Sequence, residues 1–137
     1  KPDHIIDVAT LTGAATIALG NRYAGVMGHG EAVAEILKAA EAAEESLWHM
    51  PLPEELRKVL DSEIADMTNA KVGNRAGGML VGGWFLSEYV APEQSWAHLD
   101  IAGPANNDGS PYSVNPSGAT GVMLRSIVEL ARGMSSN

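Results

Sequence analysis

The stretch His4–Leu11 carries Ile5, Ile6, Val8 and Ala9 around a single charged residue, Asp7, so the strand it predicts is apolar on both faces. Such a strand belongs inside a parallel sheet, with a neighbour on each side and helices over both faces. It runs directly into Thr12-Gly13 and a short helix predicted over Gly13–Leu19, closed by Gly20. Strand into helix in that order commits the chain to layered α/β structure. The 137 residues suffice for one core and are too few for two. Few later stretches could flank the first strand, and residue 1 is Lys, so the chain reads as a piece of a longer polypeptide.

The other elements follow from period and punctuation. A second strand is expected at Tyr23–Met27 and a helix at Glu31–Glu45, where Val33, Ile36, Leu37 and Ala40 share one face and Glu35, Lys38, Glu41 and Glu44 the other. Pro51 and Pro53 bracket a turn before one or two helical turns over Glu54–Leu60. A short strand is expected at Ile64–Met67 and a loop at Asn69–Gly78. Met79–Val90 is predicted helical, and Gly82 and Gly83 inside it demand a neighbouring backbone packed closely against them. Trp96–Ala102 is the last strand, Gly103–Gly118 a loop rich in Pro, Asn, Gly and Ser, and Thr120–Arg132 the closing helix.

Charge and composition exclude whole classes of function. Nine Lys and Arg against 17 Asp and Glu leave a net charge of −8, which repels phosphate backbones and anionic lipid, so neither nucleic acid nor a membrane is an expected partner. Without Cys there is no disulfide, thiolate metal site or cysteine nucleophile, and the cytoplasm is the natural compartment. Aromatic residues make up only 5% of a chain with 15 Gly and many Ala, so its layers must pack by close backbone approach.

Familiar signatures fail one by one. Gly28-His29-Gly30 lies between strand and helix as a dinucleotide loop would, but Val33 stands where a third glycine is needed. His29 and Glu31 begin a zinc-deaminase pattern whose paired cysteines are missing. Pro116 voids the glycosylation pattern at Asn115, and no nucleophile-elbow serine occurs. His98 and Asp100, two apart on a strand, could share a metal, or Asp100 could accept hydrogen bonds from loop or helix-start amides. Asp7 also needs a partner, whether metal, Arg or backbone donors. His4 and His49 read as structural or exposed. The segment Thr10-Leu11-Thr12-Gly13-Ala14 stands where a strand ends and a helix begins, the edge of an open parallel sheet where ligands collect. Free amides there, with Gly13 allowing near approach, could hold an anionic or carbonyl oxygen, and a purely structural turn would look similar.

Four blocks in order carry a resemblance. They are Asp3-His4-Ile5-Ile6-Asp7-Val8-Ala9-Thr10-Leu11-Thr12-Gly13-Ala14; Ala65-Asp66-Met67-Thr68-Asn69 with Arg75, Gly77 and Gly78; Trp96-Ala97-His98-Leu99-Asp100-Ile101-Ala102-Gly103; and Gly118-Ala119-Thr120-Gly121. Together they resemble the C-terminal part of the catalytic domain of leucyl (cytosol) aminopeptidases, over nearly the whole chain. The resemblance implies a partial three-layer α/β sheet flanked by helices, the C-terminal portion of a zinc-peptidase-like domain. It also implies hydrolysis of N-terminal residues of peptides at a two-metal centre of zinc, manganese or magnesium, with bicarbonate, usually in a hexamer. The family's metal ligands, its catalytic lysine and its catalytic arginine would all precede the strand that opens this chain. No catalytic or metal-ligating residue is therefore assigned here.

What the resemblance assigns to these residues is a binding wall. Thr10, Leu11, Thr12 and Gly13 would orient the peptide through main-chain groups, Leu11 would lie near the bicarbonate, and Ala102 and Ala105 would border the pocket for the N-terminal side chain. Better-known members carry a larger residue at the position of Ala105, and Val122-Met123-Leu124 departs from the commoner continuation after Thr120-Gly121. The resemblance places metal ligation away from Asp7, Asp66, His98 and Asp100, which then read as scaffold. Two functions compete on this basis. One is an aminopeptidase segment, inactive alone, whose partners are peptide substrates and the remainder of the same polypeptide. The other is a non-catalytic scaffold or oligomerisation module with the same fold.

Overall fold

The structure, a computed structural model, describes residues 2–70 and 73–134, so two positions of the loop expected at Asn69–Gly78 lie outside the described residues. In chain order the elements are β1 (His4–Ala9), α1 (Gly13–Leu19), β2 (Ala24–His29), α2 (Glu31–Ala42), β3 (Leu47–His49), a 3-10 helix (Glu54–Leu60), α3 (Gly78–Ser87), β4 (Ser95–Asp100), β5 (Asn106–Asn107), β6 (Gly118–Ala119) and α4 (Leu124–Met134). Four strands form one sheet in the order β1-β4-β2-β3, and β5 pairs with β6 in a separate small ribbon.

Sequence alternation decides which helices cover which face. Ala97 and Leu99 of β4 join Ala24 and Val26 of β2 against Val33 and Ile36 of α2 and Met123 before α4. On the opposite face Met27 packs with Ala15 of α1 and Met79 of α3. Helices thus lie on both sides of the sheet, and the three-layer α/β expectation holds for this chain.

One expectation about the sheet is corrected. The sheet is mixed: β1 runs parallel to β4 and β2 parallel to β3, but β2 and β4 are antiparallel. The strand flanked on both sides is β4, buried along nearly its whole length, whereas β1 sits at an edge with Val8 39% exposed. No strand forms at Ile64–Met67, because the Ser62 hydroxyl accepts from the Ile64 and Ala65 amides and turns the backbone locally, leaving Ile64 98% exposed. Conversely β3 arises from three residues too few to show alternation, held by pairing with Ala24–Val26.

Glycines mark where layers touch. A Cβ on Gly82 would lie 2.9 Å from Thr12 Cγ2, and one on Gly83 would lie 2.7 Å from Met27 Sδ. The close neighbours that the helix glycines demand are therefore side chains rather than another backbone. Gly28 and Gly30 serve β4 in the same way, with a Cβ at Gly28 falling 2.1 Å from the Trp96 carbonyl oxygen. The Ser95 hydroxyl then accepts from the Ala32 amide at 2.8 Å and secures the start of α2. That packing explains the Gly-His-Gly sequence without a nucleotide.

Candidate functional site

Because β1 and β4 are parallel, the turns that follow them emerge at one edge of the sheet. The first turn is Thr10–Thr12 and the second starts at Ile101. Asp100, the last residue of β4 and fully buried, joins them. Its Oδ1 accepts from the Leu11 amide at 3.2 Å, the Ala102 amide at 3.1 Å and, weakly, the Thr12 amide at 3.5 Å. Its Oδ2 accepts from the Thr12 hydroxyl at 2.7 Å. The same hydroxyl accepts from the Ala15 amide at 3.1 Å, which makes Thr12 the N-cap of α1. A buried carboxylate needs several donors, and here the backbone supplies most of them.

The second turn is braced independently. The Ala105 amide donates to the Ile101 carbonyl, and the Ala105 carbonyl accepts from the Thr120 amide at 3.1 Å. The Thr120 hydroxyl donates to the Pro104 carbonyl at 2.6 Å. Thr120 thus holds the loop that carries Ala105. Gly103 meets the far end of α1, where a Cβ would lie 2.1 Å from the Gly20 carbonyl oxygen. Of the predicted site residues, Thr10 and Gly13 are exposed and Leu11, Thr12, Ala102 and Ala105 half-buried. Asp100 gathers Leu11, Thr12 and Ala102 directly, and Ala105 follows through the Ile101 turn.

Beside this edge opens a cleft of about 680 Å³, with Thr12, Gly13 and Ile17 among its lining residues and Asn74, Arg75 and Gly77 on the loop before α3. Sequence reading assigned no role to Arg75. The signal was its place in the glycine-rich run Gly73–Gly78, where Gly77 adopts φ 62° and a Cβ would press on Leu56 at 3.1 Å.

The structure revises how the turn works. Amides expected to be free for a ligand oxygen are partly committed: Leu11 and Thr12 point theirs at Asp100, and Ala15 donates to Thr12. Asp7 is satisfied by none of the partners considered from sequence. Its Oδ2 accepts from Trp96 Nε1 at 2.6 Å, and its Oδ1 pairs with His98 Nδ1 at 2.5 Å. His98 and Asp100 therefore do not act as a pair, since each has its own partners. His98 is fully buried, and its Nε2 has no partner among the described residues.

A two-metal centre of the kind the resemblance implies does not fit the residues at this edge. Asp100 and Asp7 have both carboxylate oxygens engaged by protein donors. Among the described residues, the group able to bring three ligand atoms together is His4, Glu31 and Glu35, at the start of β1, the opposite end from Thr10–Gly13.

The geometry thus defines an α/β fold in which the turns after two parallel strands meet at one sheet edge beside a cleft. The model of the cytosol aminopeptidase family, catalytic domain, matches residues 1–128, and the chain belongs to that family. It is 52% identical to a probable cytosol aminopeptidase of Clavibacter michiganensis over 98% of this chain and 28% of the relative. It is 53% identical to one of Streptomyces avermitilis over 96% of this chain and 25% of the relative. The chain therefore spans less than a third of these relatives. Among solved structures, the bottromycin maturation enzyme BotP superposes with a TM-score of 0.92 at 40% identity, covering all of this chain and 30% of that one. The same enzyme in complex with Mn gives 0.90 at 41% identity, over 97% and 29%. A mutant of tomato leucine aminopeptidase gives 0.82 at 40% identity, over 93% and 24%. Among the described residues no helix is long and apolar enough to cross a membrane.

Proposed function

We propose that this segment is the substrate-facing wall of a metal-dependent aminopeptidase that releases leucine and other N-terminal residues from peptides. The carrying observation is the convergence of the turn after β1 and the turn after β4 on Asp100, beside a cleft, in a chain of the cytosol aminopeptidase family. A peptide's main-chain groups need fixed partners, and two braced turns at one sheet edge provide them without rearrangement. Thr10, Leu11, Thr12 and Gly13 orient the backbone of the substrate, while small Ala102 and Ala105 border the space for its first side chain. Two divalent ions (Mn, Zn or Mg) and bicarbonate are held by residues outside this segment. The working assembly is a hexamer in the cytoplasm, completed by the remainder of the same polypeptide, and its partners are peptides rather than nucleic acid or membrane.

The test compares the pure 137-residue chain with the polypeptide extended to the length of its relatives, each given Mn and a leucyl chromogenic substrate. Turnover is expected only from the extended form. Turnover by the short chain would place the catalytic ligands within it and overturn the assignment. An extended form that keeps the fold but cleaves no peptide would support a scaffold instead.

A further inference from the structure

We propose that Asp100 is the positioning residue that fixes the spacing between the two walls of the substrate site, an inference that rests on the aminopeptidase reading. Four donors converge on this one buried carboxylate, and they come from both walls: Leu11 and Thr12 from the turn after β1, Ala102 from the turn after β4. Gly103 of the second turn also packs on Gly20 at the far end of α1, and at the near end, by Leu11 and Thr12, the tie is Asp100. Beyond the last strand pair, the Ile101 amide reaches the Ala9 carbonyl at 2.9 Å, and Asp100 takes over from there. On the side away from Asp100, the missing side chain of Gly82 lets Leu11 and Thr12 seat against α3. The first wall is thus pinned between a carboxylate and a glycine, and neither partner is a substrate contact. Asp100 touches no substrate because it is fully buried. It acts through the backbone that it holds.

All of its partners in hand are neutral amides and a hydroxyl, so the negative charge draws N–H groups from two separate segments toward one point. An amide in its place keeps the shape. It gives up the charge, and it turns an NH2 toward the Thr12 hydroxyl, which must then accept rather than donate. The walls would relax apart by a fraction of an ångström. Walls set slightly apart would hold substrate and transition state less well alike, so the loss should read in KM, on the order of tenfold.

The experiment uses the extended, active polypeptide carrying Asp100→Asn, with Glu45→Gln as a control at a buried carboxylate that follows α2 and accepts from the start of α4. For Asp100→Asn, KM for leucyl peptides is expected to rise about tenfold while kcat stays within about threefold. The ratio of kcat/KM between leucyl and phenylalanyl substrates should change, and bound metal should not. Glu45→Gln should alter neither KM nor that ratio. Hydrogen exchange supplies a readout independent of turnover: the Leu11, Thr12 and Ala102 amides should all lose protection together in Asp100→Asn. If that variant does not fold, Thr12→Val removes the Oδ2 contact together with the N-cap bond to the Ala15 amide, so Ala15 loses protection through the cap, and a smaller loss at the Ala102 amide on the other wall is the readout that reports on Asp100. Unchanged KM and preference, or a loss common to every substrate that tracks the folded fraction, would overturn the inference. So would loss of protection confined to one wall. An unmodified polypeptide that lacks peptidase activity defeats the parent reading instead, and the exchange result still decides whether Asp100 couples the walls.

Discussion

Asp100 and Glu45 are both carboxylates withdrawn from solvent, and each secures a helix start from far along the chain, yet they organise different parts of the molecule. Glu45, its side chain 5% exposed, accepts from the Met123 amide, the Ser126 amide and the Ser126 hydroxyl at 2.9, 2.9 and 2.7 Å, with the Arg125 guanidinium 3.6 Å away. It stabilises buried Met123 at φ 66°, a left-handed conformation costly for a residue with a side chain, and it docks α4 on α2. Asp100 has no such cation among the described residues, and its donors belong to two separate turns. One carboxylate closes a core layer. The other joins two turns, the first of which reaches a cleft through Thr12. The same chemistry therefore docks a helix on a core layer in one place and ties two turns together in the other.

The comparison can be broken first at Gly103. Gly103→Ala drives a Cβ into the Gly20 carbonyl, with backbone on both sides and nothing flexible to yield. A loss of about 3 kcal/mol is expected in urea denaturation of the extended polypeptide. A loss under about 1 kcal/mol would mean that α1 and the second turn are not packed as described. Glu45→Ala comes next. It strands two amides and a hydroxyl and should cost about 2–3 kcal/mol, with the preference among N-terminal residues unaltered. A changed preference at full stability would erase the distinction between the two carboxylates. Gly82→Ala sharpens it further: alanine favours the helix by up to about 1 kcal/mol, while its methyl crowds Leu11 and Thr12. Stability should stay nearly constant as KM rises, and an unchanged KM would show that the first wall tolerates displacement. The smallest effect is expected at Arg57, whose pKa is raised by its hydrogen bonds to Glu88 and then Asp61. A raised folded-state pKa stabilises fully below the unfolded value and fades only as pH climbs through the folded one. Both lie far above neutrality for arginine, so the unfolding midpoint of Arg57→Ala should parallel that of the parent from mildly acidic to mildly basic pH.

Local signals were legible in the sequence and remote ones were not. The bounds of α1 follow from Thr12 and Gly20, because a capping hydroxyl and a residue at φ 72° end a helix by themselves. Helix α2 ends earlier than its alanine-rich pattern predicts, because that pattern continues past Ala42 whereas Glu45 is drawn off to α4 by contacts about 80 residues away. The direction of β2 against β4 carries no local mark at all. Asp100 was legible in part: a lone Asp in an apolar strand implies amide donors, and amide donors are what it has. That those amides come from both walls depends on parallel pairing of β1 and β4, which no spacing in the chain encodes.

Helix α1 has one last consequence. Thr12 fixes its first turn to Asp100, and Gly20 meets Gly103 at its other end, so seven residues act as a ruler between anchors. Adding one residue would lengthen that ruler by about 1.5 Å and rotate everything beyond it by roughly 100°. Ile17, 83% exposed, lines the cleft and belongs to neither anchor, so the ruler is set by the number of residues between the anchors.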